Sequence, residues 1–595
     1  MTADDARLED AARRLLADSR FVARAVAAEL GADAGEPQRL AHLTALAAAP
    51  WDAARQEGEL QRRLAGAPPG PTALAVALRR LRRAVLLGTA VRDVAGLAPL
   101  SEVTGAMTAL AQLAVQRGLA ALAHEMAETF GVPMSAAGVP QDLLVVAMGK
   151  AGGGELNVSS DLDLVFVYDE AGQTQARAPF AGATRTLSNQ EFFERLGRRL
   201  IALLSEPTAD GFVFRVDMRL RPDGDAGPLA ISNAMLEEYL IRQGREWERF
   251  AWLKGRVIAA PVFADEAQFA AQVRALQDIV RPFVFRKYLD YGAIAAQREL
   301  HARIRAETGK KSARRAGGHA NHEDNIKLGR GGIREIEFVA QTFQIIRGGR
   351  EPRLRERATL PTLATLAQLG LLPAATCEQL AAAYEFLRRL EHALQYVDDA
   401  QTHLLPADEA ERARIARLLR LPDAQALLRQ WEQTREFVAA TFDAVFLAAP
   451  ATGEAVQTQL EGEALVQRLA QLGYAEPATS AARVESLLAS RRVAESERAR
   501  SGIGALLAGV YEAVAQAARA AVPALSPDEL LARLLRLLEV IARRSTYLAL
   551  LAQYPRATAA VLRLLAASRW ATDYLIRHPI LLDELLDERL TRLTN

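Results

Sequence analysis

The chain predicts a mostly helical protein with one α+β domain embedded between helical bundles. Three observations carry this. Alanine, leucine and arginine, all good helix formers, dominate long stretches, while aromatics make up only 6% of the residues. Apolar residues recur at three- and four-residue spacing through most of the chain, as in ALAVALRRLRRAVLLG at 73–88. Between 140 and 260 that pattern gives way to short apolar runs, glycine clusters and one strictly alternating segment.

The elements follow in order. Residues 1–130 read as helices, with arginines placed opposite the apolar stripe at 73–88. Residues 142–148 read as a buried strand, a glycine-rich stretch follows, and 161–168 read as a second strand. Residues 192–206 form an amphipathic helix. Residues 211–221 alternate as a strand that Pro222 stops. Helices return from about 265, interrupted by a polar loop at 310–325, and a linker is expected at 448–454. The last stretch, 456–595, is helical with breaks at 475–477 and 522–527. With 595 residues, roughly three to five structural units are expected. The predicted division is a helical region 1–135, an α+β domain 136–265, a helical bundle 266–447 and a helical region 448–595.

Lys and Arg number 73 against 72 Asp and Glu, a net charge of +1. That balance argues against a protein built to coat nucleic acid. The single cysteine, Cys377, rules out a disulfide framework or a cysteine zinc site within the chain and fits a reducing compartment. The N-terminus is charged throughout, and no stretch approaches the roughly 18 apolar residues of a membrane span. A soluble, cytoplasmic protein without a membrane partner is expected.

The chemistry is concentrated in MGKAGGGELNVSSDLDLVF at 148–166. Asp161 and Asp163 are two apart on a predicted strand, so both carboxylates face one way while Leu162 and Leu164 face the core. Adjacent carboxylates repel unless a cation lies between them, and oxygen ligands suit Mg²⁺ or Mn²⁺. Gly149, Gly152, Gly153 and Gly154 let the backbone approach a ligand, and their amides are candidates to cradle phosphate. Ser159 and Ser160 add hydroxyls. On the alternating segment, Arg215, Asp217, Arg219 and Arg221 share one face, which suits a third metal carboxylate among phosphate-binding arginines. Each feature alone is ordinarily a solvated strand face, a loop or a salt-bridge ladder; their combination in this order points to a site.

These motifs resemble the nucleotidyltransferase superfamily that includes DNA polymerase β: a glycine loop, an Asp-x-Asp strand and a third Asp on a later strand. Ten residues separate Lys150 from Asp161. The longer strings at 148–168, 211–232, 243–259 and 326–350 resemble one family within it, the glutamine-synthetase adenylyltransferase/adenylyl-removing enzymes. Members carry two homologous catalytic domains, and this chain resembles the N-terminal, adenylyl-removing one; the adenylylating half is expected to be missing.

The resemblance implies a DNA-polymerase-β-like domain and phosphorolysis of an adenylyl–tyrosine bond of glutamine synthetase, with phosphate as nucleophile and ADP as product. It implies two Mg²⁺ or Mn²⁺ ions on Asp161, Asp163 and Asp217, with Arg219, Arg221, Lys150 and the weaker candidate Lys254 holding phosphate. The glycine-led helix after Lys327, with Arg330 and free amides, is a further anion candidate. Glu337 is expected to be buried with a partner. The partners implied are glutamine synthetase and a PII-type signalling protein, in nitrogen regulation. ATP-dependent adenylylation, or nucleotide addition to nucleic acid, would use the same carboxylates. The histidines and acids at 319–324 and the basic run 310–315 read as solvated loop.

Overall fold

A computed structural model describes residues 2–66, 70–285, 324–446, 462–494, 497–542 and 555–577, with positions 460, 548 and 551. The protein is mostly helical with a small sheet region. It divides into two compact units, 1–286 with 299–442 and 287–298 with 443–595. Among the described residues, no helix is long and apolar enough to cross a membrane.

In the first unit, helices Ala3–Asp18, Arg20–Leu30, Glu36–Ala47, Ala53–Leu64, Pro71–Val94 and Leu100–Phe130 precede the sheet. Three of these starts are capped by short polar side chains: Thr2 with Asp5 in a capping box, Ser19 and Asp52. The predicted arginine face of 73–88 is not a solvent face. Arg79 is buried and donates to the carbonyls of Gly211 (2.9 Å) and Glu206 (2.7 Å). Arg82 is buried in a two-pronged pair with Asp399, both contacts at 2.8 Å. Arg79 and Arg82 therefore turn inward, whereas Arg80 is exposed and Arg83 half-buried.

The sheet follows from two apolar runs. Strand β1 (Val132–Ser135) pairs with β4 (Gly172–Gln175) in a two-stranded ribbon. Strands β2 (Leu144–Ala147) and β3 (Leu162–Tyr168) pair antiparallel, are apolar almost throughout and are buried. β3 is central. Along its other edge run β5 (Val216–Asp217) at its start and β6 (Ala230–Ser232) at its end, both parallel to it. β7 (Arg256–Val257) closes the β2 edge. Helix Asn189–Ser205, capped by Ser188 and Glu191, packs on helix Leu100–Phe130, where Gly118 leaves room for Leu200 and Leu203. Asp142, just before β2, accepts the amides of Val262, Phe263 and Ala264 and so fixes the chain leaving β7.

Behind the sheet, helices Ile333–Arg347, Thr359–Gln368 and Ala374–Tyr396 pack together. Cys377 lies buried inside the last of these. The second unit holds helices Gly462–Gln471, Pro477–Ala489, Glu497–Ala520, Pro527–Ile541, Pro555–Ala567 and Arg569–Arg577 around a core including Leu469, Val514, Leu534 and Leu562. Buried Asp528 ties two of its turns, accepting from the amide of Ala475 (2.7 Å) and the hydroxyl of Ser480 (2.8 Å). The expected linker 448–454, the basic run 310–315 and His319, His322 and Glu323 lie outside the described residues.

Candidate active site

The start of β3 carries the carboxylates. Asp161 immediately precedes the strand and Asp163 is its second residue. In the parallel pairing with β5, Leu162 lies opposite Val216 and Asp163 opposite Asp217. Directly opposed residues share a face, so Asp163 and Asp217 are side by side. Leu162 and Leu164 are buried beneath them. Gly149, just after β2, has φ 53° and is so close that a Cβ there would lie 3.0 Å from Asp163 Oδ2. Both the left-handed backbone and the close approach require glycine.

The electrostatics follow from that crowding. Burial, and then the charge of Asp217, push the Asp163 carboxyl up to about 6, with Asp161 adding and Lys327 and Arg219 opposing. The two flanking carboxylates have arginine partners. Asp161 accepts from Arg215 Nε at 2.7 Å, and the same guanidinium donates to the Ser159 carbonyl at 2.7 Å. Asp217 accepts from the Arg219 amide at 2.8 Å and from its Nε and Nη2, which hold it below the usual carboxylate range. Among the described residues, no three acidic, histidine or cysteine side chains converge as a ready metal cage. The donor set still fits Mg²⁺ or Mn²⁺: three hard carboxylates at one strand end, the central one destabilised by its neighbours.

Several expected site residues take other roles. The alternating strand at 211–221 forms only over Val216–Asp217, after which the chain turns through residues 219–224, with Asp223 at φ 58°. Arg215, Asp217, Arg219 and Arg221 therefore do not line one strand face. Arg221 folds back onto the Met218 carbonyl at 2.8 Å. Gly152, Gly153 and Gly154 have no free amide to offer a phosphate. Gly149–Gly152 is one helical turn, and the amides of Gly152, Gly153, Gly154 and Glu155 donate to Met148, Gly149, Ala151 and Lys150 carbonyls. Gly152 and Gly153 serve packing: a Cβ on Gly152 would lie 2.1 Å from the Lys254 carbonyl, and one on Gly153 3.1 Å from Glu155 Oε2. Gly154 closes the turn at φ 74°. The Ser159 hydroxyl donates to the Asp399 carbonyl at 3.0 Å, away from the carboxylates, while Ser160 stays half-buried beside Asp161.

The lysines are likewise committed. Lys150 Nζ sits 2.8 Å from both oxygens of Glu391. Lys254 is buried against Glu155 (2.8 Å) and Glu337 (3.2 Å). Burial opposes its charge, but those two carboxylates hold it above the ordinary lysine range. Burial likewise opposes the charge of Glu337, yet Lys254 draws it down to about 2. Glu337 thus has the buried partner expected for it. The glycine-led helix does not begin with a run of free amides. Gly331 donates to Glu335, Ile333 to the Ile326 carbonyl and Arg334 to the Lys327 carbonyl, and Arg330 is exposed.

Sequence reasoning passed over the element that holds the loop. On helix Ala374–Tyr396, Tyr384, Arg388, Glu391 and Gln395 share one face at helical spacing. Tyr384 donates to Glu155 (3.3 Å), Arg388 to Asn157 (3.0 Å) and to the Glu155 carbonyl (2.6 Å), and Gln395 accepts the Ser159 amide (3.0 Å). Glu391 binds Lys150 and lies 3.0 Å from His403; burial opposes its charge, but Lys150, the His403 contact and Arg388 hold it well below the usual carboxylate range. The available signal was four polar residues at four-, three- and four-residue steps along one face of the helix. Lys327 was also passed over. Its charge bears on Asp163, Glu337, Lys150 and His403 together.

Comparison with known proteins adds relatives. Residues 10–272 match the model for glutamate-ammonia ligase adenylyltransferase, and residues 298–446 match that for GlnD PII-uridylyltransferase. A bifunctional glutamine synthetase adenylyltransferase/adenylyl-removing enzyme of Burkholderia mallei is 48% identical over 96% of this chain and 61% of its own length. The Ralstonia nicotianae protein of that name is 49% identical over 90% of this chain and 56% of its own length. The Nitrosomonas europaea protein is 46% identical over 86% of this chain and 53% of its own. The chain thus spans about three-fifths or less of the relatives it matches.

Proposed function

This chain is a homologue of the bifunctional glutamine synthetase adenylyltransferase/adenylyl-removing enzymes, and from that premise we propose that it is a nucleotidyltransferase that removes AMP from a tyrosine of glutamine synthetase by phosphorolysis. The observation that carries the reading is the side-by-side placement of Asp163 and Asp217 at the strand end, with Asp161 one residue outside it. We read the sheet bearing them as a DNA-polymerase-β-like nucleotidyltransferase core.

Phosphate oxygen attacks the α-phosphorus, the bond from phosphorus to the tyrosine oxygen breaks, and ADP and a phenolate result. Phosphate and the phosphodiester are both anions, so neutralising charge is the main task. Asp161, Asp163 and Asp217 would hold Mg²⁺ or Mn²⁺, which supplies neutralisation of the reacting oxygens and of a leaving phenol whose own pKa is about 10. Arg219, at the exposed rim, binds phosphate. Gly149 keeps its side of the cleft free of any side chain. Lys150 and Lys254 hold the loop on buried carboxylates. The same site chemistry serves adenylylation when ATP replaces phosphate, so the acceptor decides the direction.

The partners proposed are glutamine synthetase as substrate and a PII-type protein as regulator, and the compartment the cytoplasm. The test mixes the chain with adenylylated glutamine synthetase, Mg²⁺ and phosphate. ADP release that requires phosphate supports the reading. Absence of release with the PII-type activator also present, or AMP release without phosphate, contradicts it.

A further inference from the structure

Arg219 engages Asp217 completely. Asp217 Oδ1 accepts the Arg219 amide at 2.8 Å and Nε at 3.0 Å; Oδ2 accepts Nε at 2.8 Å and Nη2 at 2.5 Å. A carboxylate has about four lone-pair positions, and a guanidinium fork across both oxygens uses the in-plane ones a cation would need. The Arg219 side chain is nonetheless 75% exposed, against 16% for Asp217. It can therefore leave by side-chain rotation without losing packing. Arg215 differs. Its side chain is 35% exposed, it also holds the Ser159 carbonyl, and it lies over the Phe212 ring at 5.3 Å.

We propose that Arg219 and a divalent cation occupy Asp217 in turn, so that metal binding releases Arg219 to bind phosphate. The inference rests on the reading of Asp161, Asp163 and Asp217 as metal carboxylates. A released guanidinium is a two-pronged oxyanion donor beside the site. Phosphate that captures Arg219 in turn frees Asp217 for the cation. Linkage makes the effect reciprocal: each ligand tightens the other by the same factor. Arg215 stays on Asp161 throughout and keeps that carboxylate aimed.

The experiment titrates the full chain with Mn²⁺, following free Mn²⁺ by electron paramagnetic resonance, with and without inorganic phosphate. Arg219→Lys keeps the charge but loses the fork. The expected result is Mn²⁺ binding to Arg219→Lys, without phosphate, about threefold tighter than to the unaltered chain, the scale of an exposed ion pair. Phosphate should then tighten Mn²⁺ less in the variant than in the unaltered chain. Equal or weaker Mn²⁺ affinity in Arg219→Lys overturns the exchange while leaving the metal site standing. Failure of the unaltered chain to bind Mn²⁺ at all removes the metal reading, and the exchange with it.

Discussion

Two charged regions lie on either side of the 148–161 loop, and they are built from the same residue types to opposite ends. At the start of β3, Asp161, Asp163 and Asp217 crowd together with half-exposed or exposed arginines, and the central carboxyl is pushed up to about 6. Behind the loop, Glu155, Lys254, Glu337, Arg388 and Glu391 are buried and Lys150 nearly so, with opposite charges matched and hydrogen bonds made. Like charges gathered at a rim store repulsion that a ligand can relieve. Opposite charges sealed in an interior fix one arrangement of the backbone, because removing one partner leaves the other buried and unpaired. The first region suits the metal-binding role proposed for it; the second holds the glycine turn in place.

The contrast can be broken from the buried side first. Arg388 has no exposed surface and binds Asn157, the Glu155 carbonyl and Glu391. Arg388→Ala should lower the stability of the first unit by about 3–5 kcal/mol, the cost of breaking a buried pair. Urea unfolding checks this; a loss below about 1 kcal/mol would remove the network from its structural role.

Acid sensitivity sharpens the comparison. Glu337 is drawn from 4.5 to about 2, so its contribution is fully present above pH 4.5 and lost as pH falls through 2. Glu337→Gln should flatten that acid limb and cost on the order of 3 kcal/mol at neutral pH. Thermal unfolding between pH 2 and 6 measures it, and identical acid limbs would refute the assignment.

A smaller effect is expected at the turn itself. Gly152→Ala drives a methyl group into the Lys254 and Ala147 carbonyls, so a loss of about 1–3 kcal/mol follows from overpacking. An unchanged urea midpoint would mean that the turn moves freely, which contradicts a loop held from behind.

Much of the sheet was legible. Apolar runs at 142–148 and 161–168 contain β2 and β3 because buried strands need little more than continuous β-branched and apolar residues. Asp161, Asp163 and Asp217 stood out in the sequence only because a glycine loop, an Asp-x-Asp strand and a later Asp occur together in that order. The alternating run 211–221 misled because alternation reports a half-buried face, whereas pairing needs a partner strand. β3 is paired with β5 only at Leu162 and Asp163, and β6 takes up its far end. Apart from Glu337, charge in the motif strings was read as chemistry, and burial decides which charges are scaffolding. Lys254 follows the buried Trp252 and Leu253 and faces Glu155 from 99 residues earlier, a pairing that no local pattern reports. The polar face of helix Ala374–Tyr396 failed to register for the same reason: helical spacing shows that Tyr384, Arg388, Glu391 and Gln395 lie together, not that the glycine loop lies against them.

The central claim is that the strand-end carboxylates serve binding and chemistry while the interior network serves the fold. Asp163→Asn tests it most directly, with Mn²⁺ binding and thermal unfolding measured on the same sample. The account predicts that Mn²⁺ binding is lost at concentrations that saturate the unaltered chain, while the unfolding temperature stays level or rises because like-charge repulsion is relieved. Retained Mn²⁺ binding, or a fall of several degrees in the unfolding temperature, would contradict it.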